Sequence, residues 1–88
     1  MTSDLIKSLL TDALTPNSIE IADNSQAHAG HAGTQSGGGH YHVRIVASAF
    51  EGKSLVQRHQ LIYKALGDLM KHEIHALGIE AFTPTESN

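Results

Sequence analysis

The sequence predicts an α+β domain of order α-β-β-α-α-β, a three-stranded mixed sheet with its helices on one face. Three observations carry this expectation. Apolar residues recur at helical spacing near the N-terminus and again after Ser54. Three separate segments show the two-residue period of half-buried strands. Between the first two of these lies a Gly/His-rich stretch, AHAGHAGTQSGGGHYH, whose body has no apolar period.

Leu5, Ile6, Leu9, Leu10, Ala13 and Leu14 follow the cap candidates Thr2 and Ser3 and predict an amphipathic helix over about residues 3–14, which Pro16 stops. From Ser18 to Asp23, Ile19 and Ile21 face one way and Glu20 the other, the pattern of a strand. Residues 24–39 read as a flexible loop. Connections that long inside a small domain are usually functional or disordered. Alternation returns from His40 to Ser48, with Tyr41, Val43, Ile45 and Ala47 on one face and His40, His42, Arg44 and Val46 on the other. Ser54 then caps a helical segment in which Leu55, Ile62, Ala65, Leu66, Leu69 and Met70 share a core face, with a break near Arg58 making two helices. The stretch from Ile74 to Phe82 alternates once more and puts His75 on the side of Leu77, Ile79 and Ala81. Pro84 opens a short polar C-terminal tail, 84–88, and residues 1–88 read as one domain.

The connection between strands two and three passes through helices, and such crossovers join parallel strands. Strands two and three therefore begin at the same end of the sheet. An antiparallel first strand would deliver loop 24–39 to that end too, and the loop's sixteen residues extend far enough to bring its histidines to His75, at roughly 3.3 Å per residue.

Composition narrows the functional classes. The chain has 88 residues, 40% of them hydrophobic, with no Trp and only two Tyr and two Phe, enough for one modest core. A net charge of -3 argues against general affinity for nucleic acid or anionic membrane. Without cysteine there is no disulfide framework, so folding does not need an oxidising compartment. No apolar run approaches the roughly 20 residues of a membrane span, and the N-terminus has no signal-peptide pattern. A cytoplasmic protein is expected.

Seven histidines in a chain without thiols point to metal chemistry, because neutral imidazole is the commonest protein metal ligand. His28 and His31 in the loop, with His75 on the third strand, form a candidate histidine-only edge of a metal site. Imidazole suits zinc, copper, nickel and iron, and two imidazoles can replace two thiolates at one iron of a 2Fe-2S cluster. His40 and His42, two apart on a strand, share a face, which a solvent-facing sheet surface equally accommodates. Lys53, Arg58, Lys64 and Lys71 surround the helix pair and offer phosphate contacts, or simply a solvated helical face. His59 is expected to pack or cap within the helix pair, and Tyr63 to be a core residue with a polar tip. Gly52-Lys53-Ser54 matches only the end of a phosphate-binding loop, since the glycine required earlier in that motif is Ala47 here. No nucleophile is paired with a base and no carboxylate pair stands out, so catalysis is not expected.

The segments HAGHAG, GGGHYHVRIVASAF, FEGKSLVQRHQLIYKALGDLM and EIHALGIEAFTP resemble the BolA family over almost the whole chain. The likeness centres on Phe50-Glu51-Gly52, Leu55-Val56-Gln57-Arg58-His59 and Ile74-His75-Ala76-Leu77. It implies a class II KH-like fold and a partnership with a monothiol glutaredoxin, the two sharing a bridging 2Fe-2S cluster. In such a complex the glutaredoxin cysteine and glutathione supply thiolates, and the BolA-like chain supplies a final-strand histidine and a loop ligand. Carried over, these are His75 and His28, with His31 a competing donor. No cofactor is expected in the isolated chain. The resemblance also implies a second reading, a DNA-binding transcriptional regulator. A KH module, however, grips the nucleic-acid backbone with a Gly-x-x-Gly loop, and Val56-Gln57-Arg58-His59-Gln60 contains no glycine.

Overall fold

A computed structural model describes residues 2–24 and 39–87. Helix α1 (Thr2–Leu14) leads into strand β1 (Ser18–Asp23). Strand β2 (Gly39–Val46) is followed by a 3-10 turn (Ser48–Phe50), α2 (Leu55–Leu66), α3 (Leu69–His72), strand β3 (Ile74–Phe82) and a short α4 (Pro84–Ser87). The sheet order is β1-β2-β3. β1 pairs antiparallel with β2, from Ser18 opposite Val46 to Asp23 opposite Tyr41, and β2 pairs parallel with β3. This is the predicted α+β class with its mixed sheet.

The helices cover one face. Ile6, Leu10 and Leu14 of α1 and Ile62 and Leu66 of α2 meet Tyr41, Val43 and Ile45 of the central strand, with Phe50 fully enclosed. On both helices these residues stand four apart, so each buries a single stripe. Leu5 falls off that stripe and is exposed.

Helix α2 begins as predicted. Ser54 Oγ accepts from the Gln57 backbone N–H at 3.2 Å, and Gln57 Oε1 accepts from the Ser54 N–H at 2.9 Å, a reciprocal capping box. The expected break near Arg58 does not occur. Arg58 lies in the first turns of an unbroken helix, on the stripe continued by Ile62 and Leu66, and the interruption comes instead at Gly67. Gly67 adopts φ +54°, a left-handed geometry that costs glycine little and a side chain more. Leu55, expected in the core, is 65% exposed, off the stripe formed by Arg58, Ile62 and Leu66.

Residues 84–87, read from sequence as tail, form α4 and close against α2. The Thr83 backbone N–H donates to Glu86 Oε1 at 2.9 Å, and the Glu86 N–H donates to Thr83 Oγ1 at 3.2 Å. Arg58 Nη1 and Nη2 donate to the two Glu86 carboxylate oxygens at 2.6 and 3.0 Å. Its remaining donors reach the Ala81 carbonyl at 3.0 Å and the Lys53 carbonyl at 3.1 Å.

Candidate metal-ligand edge of the sheet

Parallel pairing starts β2 and β3 at the same rim, with Gly39 opposite Ile74. The next pair is His40 with Ala76, so β3 carries one extra residue there, His75. The cause is visible in the core. Ile74 and Ala81 are both buried, yet strict alternation places residues seven apart on opposite faces. The irregularity absorbs that phase change, and it corrects the expectation that His75 faces the way of Leu77, Ile79 and Ala81. Those three oppose the core-facing Tyr41, Val43 and Ile45, whereas His75 is exposed. Re-aiming one side chain at a sheet edge is the usual consequence of such a bulge.

Backbone bonds fix this corner. Gly39 N–H donates to the Glu73 carbonyl at 2.9 Å, and Asn24 N–H donates to the His40 carbonyl at 2.7 Å. Thus Asn24, at the end of β1, and Gly39, at the start of β2, both lie at the rim that carries His75. The His40 and His75 rings are 5.1 Å apart between centroids and tilted by 39°.

His40 and His42 do share a face, the one no helix covers, but they have different neighbours. The His42 ring lies against Gly78 and its Nε2 donates to Glu80 Oε2 at 2.6 Å. Farther along, the Arg44 guanidinium sits over the Phe82 ring at 5.2 Å. A Cβ at position 78 would stand 2.5 Å from His42 Nδ1. Gly78→Ala is therefore expected to swing the His42 ring off the sheet and break its bond to Glu80, at a stability change within about 1 kcal/mol because both groups are solvent-exposed. The His42 ring resonances report the displacement, and an unchanged spectrum would contradict this packing.

Among the described residues, no group of three or more His, Cys, Asp or Glu side chains converges to hold a metal ion. The rim offers two adjacent imidazoles, His40 and His75, and any fuller donor set would need further ligands. His28 and His31 lie outside the described residues.

The cationic set is split. Lys53 and Lys64 are exposed along a shallow groove with Gln57, Gln60 and Leu61. Lys71 is exposed, with Asp68 at 3.8 Å. Arg58 is 7% exposed and committed to Glu86 and two carbonyls, which removes it from the candidate phosphate contacts. Tyr63, expected in the core, is 41% exposed and stands edge-on to His59, with 6.4 Å between ring centroids. Among the described residues, no helix is long and apolar enough to cross a membrane.

Comparison with known proteins places this geometry in context. A family profile described as BolA-like protein matches residues 10–86. The chain is 46% identical over 86 residues to the SufE-like protein 1, chloroplastic/mitochondrial, of Arabidopsis thaliana, covering 92% of this chain and 23% of that protein. It is 40% identical over 81 residues to BolA-like protein 1 of Mus musculus, covering 92% of this chain and 57% of the relative. The chain thus spans a quarter to somewhat over half the length of these relatives. Among solved structures, the BolA domain of SufE1 from Arabidopsis thaliana superposes with a TM-score of 0.82 at 45% identity, covering 97% of this chain and 94% of that one.

Proposed function

Because this chain belongs to the BolA-like family, we propose that it is a non-enzymatic iron–sulfur partner that binds a monothiol glutaredoxin and supplies histidine ligands to a shared, bridging 2Fe-2S cluster. The observation that carries this reading is the exposed His75 ring, set out at the rim by an extra residue in β3. His75 would be the final-strand ligand and His28 the loop ligand, with His31 the competing donor. The glutaredoxin cysteine and glutathione would contribute the thiolates.

The donor set fits such a half-site. An exposed imidazole at the rim of a chain without thiols suits an iron whose sulfur ligands come from another molecule. When bound, the cluster would supply one-electron chemistry and transferable iron and sulfide. The chain's own part is geometric. Asn24 and Gly39, the described residues on either side of residues 25–38, both lie at the His75 rim. The proposal covers cluster trafficking or iron regulation in the cytoplasm. One relative, SufE-like protein 1 of Arabidopsis thaliana, is by name a chloroplastic/mitochondrial protein.

The test is titration of cluster-loaded monothiol glutaredoxin followed by visible circular dichroism. Wild type is expected to change the cluster bands, and His75→Ala to bind with the bands of glutaredoxin alone. Identical spectra for the two complexes would reject His75 as a ligand.

A further inference from the structure

We propose that His40 is a positioning residue for His75, holding its ring in a donor-ready orientation through the tilted contact between the two imidazoles. This inference rests on the reading of His75 as a cluster ligand. His75 occupies the extra position of a bulge and is exposed, a setting in which a side chain ordinarily samples several rotamers. Its ring nevertheless lies 5.1 Å from that of His40 at 39°. The holder is firmly placed. His40 is half-buried on the central strand, between β1 and β3, and its carbonyl accepts from Asn24 at 2.7 Å.

The type of contact matters. A hydrogen-bonding partner would engage one imidazole nitrogen, whereas a ring contact uses the π face and leaves the in-plane lone pair for a metal. His42 cannot take over this role, because its ring is drawn along the sheet to Glu80 and Gly78. The bulge and His40 therefore work together: one brings the His75 ring out of the core, and the other limits where it points. Groups that orient a ligand without touching the metal typically govern affinity by 10–100-fold.

Three variants of the full chain test this: His40→Ala, His40→Phe, which keeps a ring without nitrogens, and His40→Gln. In the apo chain, His40→Ala should move the His75 ring resonances as the neighbouring ring current is lost. In titrations with cluster-loaded glutaredoxin, His40→Ala should weaken binding about tenfold while its spectrum at saturation keeps the wild-type bands, and His40→Phe should recover binding to within about threefold. Apo-glutaredoxin should bind all variants within about twofold of wild type. Should His40→Ala lose its fold by far-ultraviolet circular dichroism, His40→Gln replaces it with the same expectations. Wild-type behaviour of His40→Ala overturns the proposal. So does a His40→Phe variant as impaired as His40→Ala, or altered bands at saturation, either of which makes His40 itself a ligand. Failure of His75→Ala to change the spectrum is separate, because it removes the ligand reading on which this role depends.

Discussion

Arg58→Ala is expected to lower the unfolding free energy by about 3 kcal/mol and the midpoint temperature by on the order of 12 °C or more, since each kcal/mol moves a domain of this size by about 4–8 °C. The substitution removes four hydrogen bonds at once. The Ala81 and Lys53 carbonyls lose their guanidinium donor, and the Glu86 carboxylate loses both of its contacts to Arg58. The figure belongs at the lower end of the range for broken buried pairs, because the Glu86 side chain is 46% exposed and water recovers part of its loss. Arg58→Lys should fall well short of rescue, since one ammonium cannot reproduce a fork that spans a carboxylate and two carbonyls. Urea unfolding with an unchanged m-value measures the effect. A loss below about 1 kcal/mol would show that α4 contributes little to the hold on α2.

The same clamp gives the protein a defined acid sensitivity. Hydrogen bonding from Arg58, with the Thr83 N–H adding to it, holds the Glu86 carboxyl down at about 2, against an ordinary value of 4.5. A carboxyl depressed in the folded state binds protons more readily when unfolded. Its contribution is therefore fully present above pH 4.5 and is lost as the pH falls from there toward 2. Stability measured across that window should decline in wild type and decline less steeply in Glu86→Gln. Parallel curves for the two proteins would assign the acid response to other carboxylates.

Much of the fold is legible from local pattern. The spacing of Ile6, Leu10 and Leu14, the alternation of Tyr41, Val43 and Ile45, and the Ser54 cap are each decided by neighbours within a turn or two, so periodicity finds them. What escapes is decided at a distance. Arg58 reads as a solvent-facing cation because nothing nearby in sequence neutralises it, and its partner Glu86 stands twenty-eight positions on. His75 reads as an inward residue because alternation counts without slips, whereas the burial of both Ile74 and Ala81 forces one. Gly78 gives no local signal at all, since its use is to leave room for a ring from the adjacent strand. At the candidate site, the residue type and the shared rim follow from the histidine count and the crossover rule. The ring contact between His40 and His75 is a tertiary fact that spacing does not encode.

His75→Cys should separate ligation at this position from mere proximity to it. On the proposed reading, the variant exchanges a neutral imidazole for an anionic thiolate, which stabilises the oxidised iron more than the reduced. The reduction potential of the complex with cluster-loaded glutaredoxin should therefore fall on the order of 100 mV or more, in the direction that separates cysteine-only clusters from those with histidine ligands. Position 75 is exposed, so the smaller side chain leaves no internal cavity and the fold is expected to survive the change. A redox titration of the complex gives the potential, and visible circular dichroism of the same sample establishes that the variant is bound. A shift smaller than about 60 mV, a factor of ten in a one-electron equilibrium, would mean that the side chain at 75 is not on the iron. His40→Phe serves as the internal control: it alters the ring beside His75 but not the proposed donor, so its complex should keep a potential close to that of wild type. A fall in both variants would trace the effect to a general change of environment at the rim, whereas a fall in His75→Cys alone locates it at the ligand.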